Sequence, residues 1–486
     1  MPKRLFIQTL GCQMNVLDSE LVAAGLLQAG YELVDSPRKA DTILFNTCSV
    51  RQHAEDKVYS ALGRLKHIKD QHPEKIIGVL GCMAQKDQAK IFRRAAHVDL
   101  VVGPGQLHRL PALLDELATD RQPRLEVSLD RAEGGHASVQ KSFARFDPPR
   151  TAKTRHVPHQ AMVRIMFGCD KFCTYCIVPR VRGPEQSRPA AEIEAEVRRL
   201  AADGCLEVTL LGQTVNSYKD LSEGCTLRLA DLLHRLHDID GLQRLRFVTN
   251  YPRHMTDELL QAVRDLPKVC PYLHVPVQSG SNAVLRRMKR GYTVEQYREM
   301  MERIWQTVPG AAVTSDFIVG FCGETEEDYQ QTVELLRWGR FKNSFIFKYS
   351  PRPMTKAAEL FADDVPVEVK RRRNNELLAI QTEISLAENQ PFLGRRVEVL
   401  VEGPSKVAAK AKKVEGAGGQ AGSGQWTVDG GQWEGRSGER VQLVGRTVCD
   451  RIVVFDGPRE LAGKLLNVEI ERVDAFTLFG TMKGGS

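Results

Sequence analysis

Ala161-Met162-Val163-Arg164-Ile165-Met166-Phe167 runs directly into Gly168-Cys169-Asp170-Lys171-Phe172-Cys173-Thr174-Tyr175-Cys176. The apolar run reads as a β-strand, and the loop that follows carries three cysteines spaced C-x3-C-x2-C. Three thiolates on one short loop can hold three irons of a 4Fe–4S cluster. Clusters that only carry electrons usually take four cysteines, so three leave one iron open to a substrate or cofactor. A structural zinc site would want four ligands, commonly in two pairs. His156 and His159 are near in sequence but on the other side of the predicted strand. Zinc and a set of inert buried thiols are the alternatives this loop leaves open.

Downstream, helices and strands alternate. Ala190 to Asp203 carries Ile193, Val197 and Leu200 on one helical face and stops at Gly204. Strands are predicted at Glu207 to Leu211, Arg244 to Thr249, Tyr272 to Val277, Val313 to Val319 and Ser344 to Tyr349, with a helix from Thr293 to Trp305 opening on the capping box Thr293-x-x-Gln296. With the strand before Cys169, this predicts a partial parallel (β/α)6 barrel over residues 158–388, its active site at the carboxyl ends of the strands. Gly212-Gln213, Gln278-Ser279, Asp316 and Gly320 fall at or near those ends.

Upstream, three short apolar runs share one layout. Leu5 to Leu10 leads to Gly11-Cys12, Thr42 to Thr47 to Cys48, and Ile76 to Gly81 to Cys82. Each suits a buried parallel strand with a cysteine at its carboxyl end. Helical patterns lie between them, one with Asp18 as candidate cap and Leu21, Val22, Gly25 and Leu26 on one side, another from about Val50 to Lys69. The expectation for residues 1–120 is a doubly wound parallel-sheet α/β domain whose ligands gather at the strand ends. Cys12, Cys48 and Cys82 would then converge. Residues 121–157 read as a linker with the pair Pro148-Pro149 and one short strand around Leu125 to Leu129.

Past the barrel, a helix is predicted from Val367 to Asn389, with Lys370-Arg371-Arg372-Arg373 as either a solvated face or a phosphate contact. Residues 389–486 read as a small OB-like β-barrel with strands at Arg395 to Glu402, Arg446 to Phe455, Leu465 to Arg472 and Phe476 to Met482. A Gly-rich insertion occupies 403–440, and its stretch Val414 to Gly438 reads as mobile. The 486 residues suffice for several domains. No run is long enough to span a bilayer. The short apolar start Leu5 to Leu10 reads as a first strand, not a secretory segment. Eleven cysteines without a signal segment favour thiols or metal ligands in a reducing, cytoplasmic setting. A net charge of +7 permits an anionic partner such as RNA.

With both cysteine trios in view, the chain resembles the methylthiotransferases of the radical S-adenosylmethionine (SAM) superfamily. It is most similar to the tRNA 2-methylthio-N6-isopentenyladenosine synthases. The likeness spans nearly the whole chain and rests on Gly11-Cys12-Gln13-Met14-Asn15 with Asp18-Ser19-Glu20, Asn46-Thr47-Cys48-Ser49-Val50-Arg51, and Gly168 to Cys173. Leu211-Gly212-Gln213-Thr214-Val215-Asn216-Ser217-Tyr218 and Pro276-Val277-Gln278-Ser279-Gly280-Ser281 support it. The chain departs from the family pattern at Cys322, usually proline, at Met354, usually glycine, and in its Gly-rich insertion. Cys205, Cys225, Cys270, Cys322 and Cys449 match no ligand motif.

The resemblance implies a methylthiotransferase domain, a radical SAM barrel and a C-terminal TRAM domain. It implies that Cys169, Cys173 and Cys176 hold a 4Fe–4S cluster that reduces bound SAM to methionine and a 5′-deoxyadenosyl radical. Cys12, Cys48 and Cys82 would hold a second 4Fe–4S cluster from which methylthio passes to C2 of isopentenyladenosine beside the tRNA anticodon. One SAM would methylate the sulfur and a second would supply the radical, the cofactors carrying the difficult chemistry. Gly212, Gln213, Gln278, Ser279 and Asp316 are the implied SAM contacts, with Ile318 and Gly320 against the adenine. Implied partners are the tRNA anticodon stem-loop, met by the C-terminal barrel and by Arg180, Arg182 and Arg188, a flavodoxin- or ferredoxin-type electron donor, and a sulfur donor, with the enzyme a monomer and no membrane involved. Relatives acting on threonylcarbamoyladenosine or a ribosomal protein, and a zinc-stabilised RNA-binding protein without catalysis, are the competing readings.

Overall fold

The structure, a computed structural model, describes residues 2–49, 52–127, 129, 147–222, 224–405, 407–408, 426–427 and 440–482. The chain divides into two compact units. The first comprises Met1–Asp170, Ile177–Cys205 and Gln420–Glu434, the second Lys171–Cys176, Leu206–Gly419 and Gly435–Ser486.

The first unit is built on a parallel sheet of β1 (Lys3–Leu10), β2 (Tyr31–Leu33), β3 (Thr42–Thr47), β4 (Ile76–Gly81), β5 (Leu100–Val102) and β6 (Arg124–Glu126), in the order β2-β1-β3-β4-β5-β6. Strands β3 and β4 are buried at every position, as parallel strands covered on both faces must be. Phe6, Ile43, Phe45, Ile77 and Val79 form a core with Val58, Leu62 and Leu65 of the helix Gln52–Gln71. The predicted strands are found, the second and third with their expected bounds.

The first helix, α1 (Gln13–Gln28), corrects one expectation. Its N-cap is Cys12, not Asp18, which is fully buried in the second turn. The helix begins six residues early because Cys12 and Asn15 supply the capping contacts, and cysteine is outside the usual cap set of Ser, Thr, Asp and Asn. The predicted linker is also anchored at its far end. Arg150, just after Pro148-Pro149, is buried against Glu20 at 2.8 Å and Glu196 at 2.7 Å, and Arg155 pairs with Asp203 at 2.8 Å. The predicted strand at Leu125 to Leu129 is Arg124–Glu126, and residue 128 lies outside the described residues.

In the second unit, Glu207–Leu211 pairs parallel with Arg244–Val248, and Tyr272–His274, Ala312–Val319 and Asn343–Lys348 form a parallel trio. Helices Leu229–His237, Asp257–Asp265, Val294–Thr307 and Glu326–Gly339 connect them, the third opening on the expected Thr293/Gln296 capping box. The third predicted strand stops at His274 rather than Val277. From there Gln278, at φ +78°, joins the next strand through a single bridge, its N–H donating to Asp316 O at 2.8 Å and its carbonyl accepting from Ile318 N–H at 2.9 Å. Met354, where the family usually has glycine, sits at φ +71°, a backbone region that favours glycine.

The helix Val367–Asn389 has the predicted bounds, and its basic run is divided: Arg371 and Arg372 are exposed, as on a solvated face, whereas Lys370 and Arg373 are buried. Arg373 is buried against Glu324 at 2.7 Å, Lys370 is buried against Asp363, and Arg372 pairs with Glu326 at 2.6 Å. Helical spacing turns Lys370 and Arg373, three residues apart, inward to carboxylates.

A closed barrel of Arg396–Pro404, Arg440–Arg446, Ile452–Pro458, Thr477–Thr481 and Leu465–Val473 completes the unit around Val399, Val401, Leu443, Phe455 and Ile470. The predicted strand Arg446 to Phe455 is in fact the end of one strand, a turn, and the start of the next. The turn turns at Asp450 (φ +63°) and lacks the Gly or Pro that would have marked it. It docks on the neighbouring parallel strands: Arg246 donates to Thr447 O at 2.8 Å, and Lys342 pairs with Asp450 at 3.1 Å. The predicted mobile insertion lies largely outside the described residues, except that Trp426–Thr427 pairs antiparallel with Gln8 and Thr9 of β1.

Replacing Phe45 with Ala would empty one of the largest fully buried side-chain volumes. Such a truncation costs about 3–5 kcal/mol, and should appear as a lower denaturant midpoint with an unchanged m-value.

Candidate active site

Register brings the first cysteine trio together. Leu10 pairs with Thr47 and Thr47 with Gly81, so the chain leaves β1, β3 and β4 in step, through Gly11-Cys12, Cys48 and Cys82. Cys12 caps α1, and Cys82 opens the short helix Cys82–Asp87. Cys48 and Cys82 are buried and Cys12 is exposed.

A buried amide network holds these strand ends. Asn15 accepts the Cys12 N–H and lies 3.3 Å from its Sγ. The Asn15 amide donates to Asn46 Oδ1 at 3.1 Å and Thr47 O at 3.3 Å. Asn46 returns a bond to Asn15 O at 2.9 Å and another to Ser19 Oγ at 3.0 Å. Gly81 has φ +89°, and a Cβ there would lie 2.3 Å from Asn46 Oδ1 and 2.8 Å from Thr47 O. The glycine is required both by its backbone and by the network packed against it.

The Cys12 thiol is lowered to about 6, chiefly by a hydrogen bond with Cys48. Arg182 and the backbone N–H groups of Asn15 and Met14 also favour the thiolate. Burial pushes Cys82 up, and Arg182 works against that rise. Arg182 Nε donates to Cys82 Sγ at 3.2 Å, and its Nη2 lies 2.7 Å from Asp18.

Of the second trio, Cys169 belongs to the first unit and Cys173 and Cys176 to the second. In the first, Cys169 is buried and donates its N–H to Gly183 O at 3.2 Å. Gly168 before it has φ +57°, and a Cβ would meet Pro184 O at 2.0 Å. In the second, Arg290, buried, donates to Cys173 Sγ at 3.4 Å, Tyr292 Oη at 2.8 Å and Pro276 O at 2.8 Å. Thr174 docks the loop by donating its N–H to Met288 O at 3.0 Å and its Oγ1 to Arg287 O at 2.8 Å. Cys176 N–H donates to Cys173 O at 3.0 Å.

The other candidate residues divide. Gly212 follows Glu207–Leu211 and donates to Val248 O at 3.2 Å, beside half-buried Gln213. Asp316 is half-buried on the face that also carries His274, whose Nε2 is 3.5 Å from its carboxylate. Ile318 is half-buried in the same strand, and Gly320 is shielded by the Lys370 stem. Ser279 is fully buried, its Oγ accepting from Ser281 N–H at 3.1 Å within the turn after Gln278. Of the three arginines expected to meet RNA, Arg180 is exposed. Arg182 is buried, and half-buried Arg188 is held by Glu196 at 2.7 Å and Asp147 at 2.8 Å, so the charge of each is met within the chain. Asn15 and Asn46 stand in the family motifs and Gly81 at a strand end without a role of their own in the sequence, and Arg290 is not singled out there. An asparagine inside the apolar run Thr42 to Thr47 is the signal that could have found the first pair; Arg290 leaves none.

Among the described residues, no group of three or more His, Cys, Asp or Glu side chains is arranged to hold a metal ion directly. Cys12, Cys48 and Cys82 are set by the backbone register of the strands they follow. The donor chemistry is thiol alone, with guanidinium N–H groups at Cys82 and Cys173. That set fits iron–sulfur clusters, whose thiolates are tuned by hydrogen bonds to sulfur.

Residues 163–336 match the radical SAM superfamily, and residues 4–103 match the uncharacterized protein family UPF0004. Among solved structures, the radical SAM methyltransferase TsrM from Kitasatospora setae superposes with a TM-score of 0.52 at 15% identity, over 74% of this chain and 75% of that one. The fold is thus that of a radical SAM enzyme. The tRNA-2-methylthio-N(6)-dimethylallyladenosine synthase of Rhodopirellula baltica is 56% identical over 483 residues, 99% of this chain and 96% of the relative. Those of Moorella thermoacetica and Acidovorax are 41% and 42% identical, over 99% and 100% of this chain and 99% and 98% of their own. The chain belongs to this family of radical SAM tRNA methylthiotransferases.

A thiol with a lowered pKa is deprotonated at all pH values above it. In the metal-free chain, alkylation of Cys12 by iodoacetamide, followed by peptide mass spectrometry, should rise with pH around about 6 rather than near 9.0. Cys48→Ala removes the largest cause and should move that rise upward.

Proposed function

We propose that this chain replaces the C2 hydrogen of N6-dimethylallyladenosine, the isopentenyladenosine named above, with a methylthio group beside the tRNA anticodon. The observation that carries the reading is the register of β1, β3 and β4, which ends three adjacent strands at three cysteines. It is supported by the full-length family relationship. Cys12, Cys48 and Cys82 would hold one 4Fe–4S cluster and Cys169, Cys173 and Cys176 the other. When bound, the clusters and SAM supply the radical that activates an unreactive C–H bond and the sulfur that replaces it.

The protein's own part is to bind, orient and charge-balance these groups. Arg182 and Arg290 direct N–H groups at one sulfur of each trio. Gly212, Gln213, Gln278 and Asp316 are our candidates for holding SAM, and Ser279 shapes the turn that carries Gln278. The anticodon stem-loop is readable because single-stranded bases can be splayed and stacked. Exposed Arg180 and the C-terminal barrel are our candidates for meeting it. A flavodoxin- or ferredoxin-type donor and a sulfur donor complete the cycle in the cytoplasm.

Two variants separate the roles of the trios. Cys173→Ala should abolish reductive cleavage of SAM. Cys48→Ala should retain uncoupled cleavage and lose methylthiolation, read by nucleoside mass spectrometry of tRNA. Identical behaviour of the two folded variants would remove the division of labour.

A further inference from the structure

Arg182 entered as a candidate RNA contact, yet only 4% of it is exposed. A buried guanidinium is costly unless its donors and its charge are met. One arm meets Asp18 at 2.7 Å, and Nε donates to Cys82 Sγ at 3.2 Å. Cys82 therefore occupies an acceptor position of a charged donor, where a neutral thiol is a weak partner and a thiolate or metal-bound sulfur a strong one.

The surroundings fix that arginine. Asp18 is 1% exposed and belongs to α1, the helix that Cys12 caps. Asp18 also faces Arg164 at 3.6 Å, and the Arg164 guanidinium lies 3.8 Å from the centre of the Phe167 ring, in the strand that leads to Cys169. The next residue along from Arg182, Gly183, accepts the Cys169 N–H at 3.2 Å. Ile177 and Val181, a turn earlier, pack on Cys82. One short segment of the first unit thus touches a cysteine of each trio, and the counter-ion of its Arg182, Asp18, lies in the helix that Cys12 caps.

We propose that Arg182 is a positioning residue for the sulfur of Cys82, and that Arg182-Gly183, anchored by Asp18, fixes Cys82 relative to Cys169. The proposal rests on the cluster reading above. Loss of the guanidinium removes a charged hydrogen bond from one cluster ligand, which weakens iron retention and makes reduction of that cluster harder. Lysine at this position keeps the charge but cannot span Asp18 and Cys82 with a planar fork.

The test uses the full chain, reconstituted anaerobically with iron and sulfide, in a Cys173→Ala/Cys176→Ala background that isolates the auxiliary cluster. Arg182→Gln is used alone, because Asp18 keeps Arg164 opposite it at 3.6 Å, and circular dichroism checks the fold. Iron retention against a chelator should weaken about 10–100-fold in this variant, with a lower midpoint potential by spectroelectrochemistry. Arg182→Lys, alone in the same background, should lie between the variant and the parent in potential. Unchanged iron retention and potential in both variants would overturn the role of Arg182 while leaving the cluster reading intact. A parent that binds no iron would overturn the cluster reading itself.

Discussion

The buried pair of asparagines, Asn15 and Asn46, is the contact on which the first site depends. A parallel sheet leaves its carboxyl ends with backbone groups that the next strand does not satisfy, and a buried polar group left unmet costs more than a typical bond gains. Here the two amides answer each other across α1 and β3 and also reach Thr47 O and Ser19 Oγ. The same contacts bind the N–H of Cys12 and occupy the space beside Gly81. Removing one partner would therefore loosen the starts of all three cysteine segments at once. Fully satisfied buried networks are rigid, and rigidity is what a set of metal ligands requires.

The second unit solves a related problem with a guanidinium. The segment Lys171–Cys176 has no regular structure of its own, so its shape is imposed by the residues it docks on. Met288 and Arg287 offer carbonyls to Thr174, and Arg290 reaches Cys173 while tied to Pro276 O and Tyr292. Tyr292 Oη in turn donates to Val277 O at 2.9 Å, just before Gln278. The loop and the turn carrying a candidate SAM residue thus share one support. In both units a buried arginine points at a sulfur, a solution that gives charge and direction together.

Periodicity made the strands and the two cysteine trios readable, because burial on both faces requires continuous apolar runs and ends them abruptly at polar or special residues. It also gave the helix Val367–Asn389 its limits. What it could not give was the partner of any charged side chain. Asp18 looks like a cap in one dimension and is a buried counter-ion in three. Lys370 and Arg373 look like a solvated run and are internal ion pairs. The turn after Arg446 was invisible for a different reason. Its Asp450 takes φ +63° without glycine, in a segment otherwise rich in strand formers. Docking on Arg246 and Lys342 holds it there.

The same lesson bears on how a basic protein meets RNA. A net charge of +7 invites the reading of a broad cationic surface. Yet Arg150, Arg155, Arg164, Arg182, Arg244, Arg246, Arg290, Arg373 and Arg451 are all buried. Most are held by carboxylates, and Arg244 and Arg246 serve to dock the C-terminal barrel on Glu398 O and Thr447 O. An arginine spent in this way releases no counterion and adds nothing to the salt dependence of RNA binding. Only exposed basic side chains, such as Arg180 and Arg371, can contribute to that dependence. Charge alone does not tell single-stranded RNA from any other polyanion; base stacking and shape are the terms that do.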